Sequence, residues 1–180
     1  MKVYTILANG FEEIEALAVV DILRRAEIPV TTFSLNDSKE VIGAHDIKVY
    51  ADETLSNIDN DFDMIFLPGG YPGYVNLENS DLLKNFIMEA YNNQKNISAI
   101  CAAPSVIGKM GLLKGKRACC FPSFEEFLYG AEVSFDDVCV SGNIFTSRGA
   151  GTAHLLAFKI VEYYKGTEFA NKLKKAMLYV

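Results

Sequence analysis

Short apolar runs alternate with segments of helical periodicity along the chain, and no other feature restricts the possible folds as strongly. Lys2–Ala8, Val30–Leu35, Met64–Leu67, Ile97–Ile100 and Ile144–Ser147 read as strands. Met64-Ile65-Phe66-Leu67 is apolar at every position, as in strands buried on both faces. Glu13–Ala26, Leu82–Tyr91, Val106–Met110, Thr152–Tyr164 and Glu168–Met177 read as helices. In the first, Ile14, Leu17, Ala18, Asp21, Ile22 and Arg25 recur at helical spacing, and Arg24-Arg25 lie in the last turn, where the helix dipole favours cations. Smaller extended pieces are expected at Val41–Gly43 and Ile47–Ala51, around Ala44-His45-Asp46, and at Arg117–Phe121, Val133–Phe135 and Val138–Val140, with a helical turn at Glu125–Leu128. Such alternation predicts an α/β fold, a mostly parallel sheet covered by helices on both faces. No repeat, low-complexity tract or linker interrupts it, so residues 1–180 are expected to form one domain.

Composition narrows the function classes. The 180 residues are 50% hydrophobic, too apolar for disorder and numerous enough to build a core without disulfides or metals. Seventeen Lys and Arg against 23 Asp and Glu leave a net charge of −6, the wrong sign for a nucleic-acid surface. The apolar run after Met1 is short and soon meets Glu12-Glu13, without signal-peptide or membrane-spanning character. A cytoplasmic location is expected, and the sequon Asn96-Ile97-Ser98, in an expected strand, is discounted. The four cysteines, Cys101, Cys119, Cys120 and Cys139, form no Cys-x-x-Cys, and neither His45 nor His154 stands at metal-ligand spacing from one. Reduced thiols and no metal site are expected; Cys119 and Cys120 read as small buried thiols, and a vicinal disulfide between them is disfavoured by its strain.

In parallel sheets of this kind, ligands bind beyond the carboxyl ends of the strands. That rule selects the loops Asn9–Glu15, Pro68–Tyr74 and Cys101–Ser105. Ser98-Ala99-Ile100-Cys101-Ala102-Ala103-Pro104 runs from strand straight into helix, a turn that projects its side chain from the sheet edge. A neighbouring helix N-terminus would lower the Cys101 thiol pKa, whereas a sealed structural cysteine would titrate normally. Gly69 and Gly70 let backbone N–H groups approach a ligand and, with the N–H of Ala102, would form an oxyanion hole; otherwise Pro68-Gly69-Gly70 is a plain turn. Acids at a helix start are ordinary, but Glu15 falls one turn before Val19 and Ile22, on the side with Ala18. Tucked there, its carboxyl would be desolvated, its pKa raised, and available to bond a thiolate and act as general acid/base.

Glu12-Glu13-Ile14-Glu15, Leu67-Pro68-Gly69-Gly70, Ala99-Ile100-Cys101-Ala102-Ala103-Pro104 and Thr146-Ser147-Arg148-Gly149-Ala150-Gly151-Thr152, in this order, resemble the ThiJ/PfpI superfamily, most of all the branch of the Parkinson-disease-associated deglycase. The resemblance spans nearly the whole chain. It implies a flavodoxin-like (class I glutamine amidotransferase-like) three-layer sandwich and a homodimer, with no cofactor. It makes Cys101 the reactive thiol, Glu15 its protonated partner, and Gly69, Gly70 and Ala102 the backbone donors. His45 would occupy a pocket position commonly held by arginine, and Arg25 and Ala150 would lie at the dimer interface near the partner's site. Activities implied include cofactor-free conversion of methylglyoxal to lactate, deglycation, oxidative-stress sensing and chaperone action.

One departure matters. Relatives often carry a histidine beside the thiol where this chain has Phe121, before Pro122, and the protease-like branch has a histidine where Ala102 stands. Phenylalanine moves no proton, so slow turnover is expected and peptidase chemistry is disfavoured. His45 is the candidate substitute; His154, beside Leu155 and Leu156, reads as a packed or interfacial residue. A glyoxalase or deglycase acting on a small 2-oxoaldehyde or its adducts leads. A cysteine-based redox sensor or chaperone is the alternative, and an ammonia-producing amidotransferase-like domain, which needs a Cys-His-Glu triad, ranks low.

Overall fold

The computed structural model describes residues 1–179. Its elements follow in chain order: β1 (Val3–Leu7), α1 (Glu13–Arg25), β2 (Val30–Ser34), β3 (Glu40–Ile42), β4 (Lys48–Tyr50), β5 (Glu53–Thr54), β6 (Met64–Leu67), α2 (Gly73–Asn79), α3 (Asp81–Asn92), β7 (Asn96–Ile100), α4 (Pro104–Lys109), β8 (Arg117–Ala118), β9 (Glu132–Val133), β10 (Val138–Ser141), β11 (Ile144–Ser147), α5 (Ala153–Lys165) and α6 (Thr167–Ala176). Seven strands form one sheet in the order β10-β11-β7-β6-β1-β2-β5. All its pairings are parallel except β10 with β11. The expected α/β architecture is therefore present.

Strand alternation divides the core in two. Tyr4, Ile6, Ile65, Leu67, Ile97 and Ala99 pack on one face, with Leu83, Phe86 and Ile87 of α3 and Val106 and Ile107 of α4. Val3, Met64, Phe66, Ile100 and Phe145 pack on the other, against Val19, Ile22 and Leu23 of α1 and Leu156, Phe158 and Ile160 of α5. Each face removes large apolar side chains from water, at about 1.5–3 kcal/mol for a fully buried one. α3 starts where Ser80 caps it, its hydroxyl accepting from the Leu83 N–H at 3.2 Å.

Several boundaries differ from the sequence expectation. α2 was unforeseen, because Gly73 and Asn76 weaken its helical signal. The strand expected over Arg117–Phe121 stops at Ala118, since Cys119 gives its N–H to the Thr146 hydroxyl at 3.0 Å instead of to a strand. The piece expected at Val133–Phe135 is Glu132–Val133, paired with β8. Among the described residues no helix is long and apolar enough to cross a membrane.

Candidate active site

The carboxyl ends of β1, β6 and β7 bring three loops together. β7 stops at Ile100 and the backbone turns at once: Cys101 has φ +63°, in the left-handed region that side chains other than glycine rarely adopt. The turn is pinned on both sides. Cys101 N–H donates to the Ser147 carbonyl at 3.0 Å, and the Cys101 carbonyl accepts from Phe121 N–H at 2.8 Å. The side chain is left half-buried at the sheet edge.

Glu15 reaches this sulfur from the inner face of α1, where it is 1% exposed. Its carboxyl faces the Cys101 side chain, and Oε2 accepts from Gly69 N–H at 2.8 Å. The backbone N–H groups of Gly70 and Ala102 lie toward the sulfur and favour its ionised form. Only glycine fits at two of these positions. A Cβ on Gly69 would lie 2.7 Å from Cys101 Cβ and 2.9 Å from Glu15 Oε2. Gly70 has φ +94°, and its Cβ would lie 2.3 Å from the Glu12 nitrogen.

Two corrections follow. The Gly69 N–H, expected in an oxyanion hole, is committed to Glu15; Gly70 and Ala102 are the donors at sulfur. The thiol, expected to be acidified by a helix N-terminus, is instead pushed up to about 12, first by burial and then by the adjacent Glu15 charge, against the pull of the two N–H groups. Helix α4 begins only at Pro104 and is six residues long, so it contributes little field. Burial also raises Glu15 to about 7, with the Gly69 N–H opposing it. The Glu15 charge opposes ionisation of the sulfur, so ionising it is easiest when Glu15 holds a proton.

The remaining expected residues lie around this pair. Phe121 and Pro122 are exposed, and the Phe121 ring lies 3.4 Å from where a Gly149 Cβ would be. That same point is 4.0 Å from Glu15 Oε1, so Phe121 stands at the approach to the carboxyl. His45 does not substitute for the missing histidine at sulfur. Its ring is 69% exposed and its Nδ1 lies 2.8 Å from Glu13 Oε2 and 3.5 Å from Glu12. These carboxylates raise the His45 pKa, Glu13 foremost. The buried Glu13, which also accepts from His45 N–H at 2.8 Å, was read as an ordinary helix-start acid; its pairing depends on a loop 32 residues away. Glu12, Glu13 and His45 place one potential ligand atom each within 4.8 Å of one another, but the imidazole is already engaged as an ion-pair partner. Arg25 pairs with Asp21 at 2.7 Å on the outer face of α1, and Ala150 opens the short turn before α5.

Comparison with known proteins gives one consistent result. Residues 1–163 match the model of the DJ-1/PfpI family. "Protein DJ-1 homolog B" of Arabidopsis thaliana is 38% identical over 96% of this chain, which spans 40% of that protein's length. "Protein dj-1beta" of Drosophila melanogaster is 38% identical over 96% of this chain and 94% of its own. A Caenorhabditis elegans relative, 31% identical over 92% of this chain and 89% of its own, is named "Glutathione-independent glyoxalase DJR-1.2". Among solved structures, oxidised Toxoplasma gondii DJ-1 superposes with a TM-score of 0.95 at 35% identity, covering 99% of this chain and 98% of its own.

Proposed function

The chain belongs to the DJ-1/PfpI family, and on that premise we propose that it is a cofactor-independent glyoxalase- or deglycase-type enzyme acting through Cys101 on methylglyoxal or a similar small 2-oxoaldehyde. The observation that carries this reading is the strained Cys101 facing a buried Glu15, with two backbone N–H groups toward its sulfur. The named glyoxalase among the relatives supports it.

The chemistry follows from the pair. As the sulfur adds to the aldehyde carbon, its proton passes to the Glu15 carboxylate and from there to the carbonyl oxygen, which becomes the hydroxyl of a hemithioacetal and leaves Glu15 ionised. The Gly70 and Ala102 N–H groups, beside the sulfur, stabilise the developing oxyanion. Glu15 then takes the proton from the former aldehyde carbon and returns one to the neighbouring carbon, giving a 2-hydroxy thioester. Water hydrolyses the thioester to a hydroxy acid and frees the thiol. Among the described residues no histidine reaches the pair, and Phe121 carries no proton, so turnover is slow. A substrate held this way needs no metal or organic cofactor, and the exposed α1 face around Arg25 suits a homodimer. The test is Cys101→Ala with methylglyoxal: lactate formation is abolished. A variant retaining full activity overturns the reading.

The same donors favour a second reading. Gly70, Ala102 and Glu15 would hold the oxygens of a sulfinic acid at Cys101, formed by two successive two-electron oxidations with hydroperoxide. Graded peroxide followed by mass spectrometry separates the two. Early addition of two oxygens at Cys101, with negligible lactate production, makes sensing the main role.

A further inference from the structure

Cys101 is the thiol of the site; two of the other three meet elsewhere. In the antiparallel register of β10 and β11, Cys139 lies directly opposite Thr146, so the two side chains share a face. On that face Cys119 N–H donates to Thr146 Oγ1 at 3.0 Å, and Cys119 Sγ lies 3.6 Å from the same hydroxyl. Burial foremost, and then the neighbouring Cys139, pushes the Cys119 thiol up. Both cysteines are buried, whereas Cys120, adjacent in the chain, packs into the core on the α3–α4 side. Two buried thiols on neighbouring segments thus flank one threonine side chain, close enough in the fold for a disulfide to be tested.

We propose that Cys119 and Cys139 form a reversible disulfide under hydroperoxide, a second redox site separate from Cys101. One thiol attacks the peroxide oxygen, giving a sulfenic acid and releasing water or an alcohol. The second thiol attacks that sulfur, expelling water and forming the S–S bond. The two sulfurs together lose two electrons, the O–O bond gains them, and both thiol protons leave in the oxygen products.

Burial sets the order of events. Both thiols are closed off from solvent, so the pair reacts after the half-buried Cys101 and answers a larger oxidant dose. Entry is by opening of β10, an edge strand with a single neighbour in the sheet. Closure would tie β10 to the segment that ends at Phe121, whose N–H holds the Cys101 carbonyl at 2.8 Å.

The experiment applies graded hydrogen peroxide to the full chain carrying Cys101→Ser, then alkylation without reduction and cleavage after the glutamates at 125–132, which separate the two cysteines. The expected result is a linked pair of fragments two hydrogens lighter than their sum, lost on treatment with dithiothreitol, kept in Cys120→Ser and absent in Cys139→Ser. The linked form should melt several degrees higher and return to its starting midpoint on reduction. Full alkylation of Cys119 and Cys139 after unfolding, sulfinic acid on either one, or a link carried by Cys120 would overturn the proposal.

Discussion

Glu15 is the residue most altered by its surroundings, and its titration has two measurable consequences. Its folded value of about 7 lies above the ordinary 4.5, so folding favours the protonated form. Below pH 4.5 both states hold the proton and burial costs nothing. Between there and about pH 7 the unfolded chain releases its proton while the folded chain keeps it, and stability falls. The loss approaches about 3 kcal/mol above pH 7, at about 1.4 kcal/mol per unit. Denaturant unfolding of Glu15→Gln against the parent chain should therefore show a gain that grows from pH 5 to pH 8; a gain independent of pH contradicts this. The rate carries the same signature. Because the carboxylate receives the thiol proton, kcat/KM for methylglyoxal should rise through about pH 7, and Glu15→Gln should lose at least about 100-fold with that rise gone. The burial of Glu15 was legible in its spacing from Val19 and Ile22. The direction of the Cys101 shift was not, because it comes from desolvation and from the charge on another element.

At the scale of elements, the site is a meeting of loop ends. The β6 loop supplies Gly69 to Glu15 and Gly70 to the sulfur, and Glu12 N–H donates to the Gly69 carbonyl at 3.0 Å, fastening that loop to the start of α1. Gly69→Ala should force apart Cys101 and Glu15, because the new methyl would lie within 2.7 Å of Cys101 Cβ. A loss of activity of at least about 100-fold is expected, with the fold retained by circular dichroism, since sub-ångström misplacement of reacting groups is costly. Wild-type activity would show that the pair is not the reacting unit. The strand-to-helix run around Cys101 and the Pro68-Gly69-Gly70 turn were visible in sequence. Which N–H served which acceptor was not, since that depends on how far each loop advances over the sheet. The Glu13–His45 pair and the meeting of Cys119 and Cys139 at Thr146 escaped for the same reason: each joins segments distant in the chain.

At the scale of the whole molecule, the outer face of α1 remains unpaired. Ile14 and Leu17 are exposed one turn apart there, with Arg25 further along the same helix. A homodimer through this face would bury them, and sedimentation equilibrium should return twice the chain mass of 19.9 kDa, with Leu17→Asp returning the single-chain mass. A monomeric parent chain would remove the interfacial role of Arg25 and Ala150. Apolar periodicity alone determined that the sheet is mostly parallel and lies between two helical layers, because a run apolar at every position can be buried only between layers. It also determined which strand ends, and so which loops, could carry chemistry. Tertiary structure decided the proton balance of Cys101 and Glu15, the donor each acceptor received and which thiols lie near one another. Those outcomes depend on dielectric and distance, and both exist only once remote segments have packed.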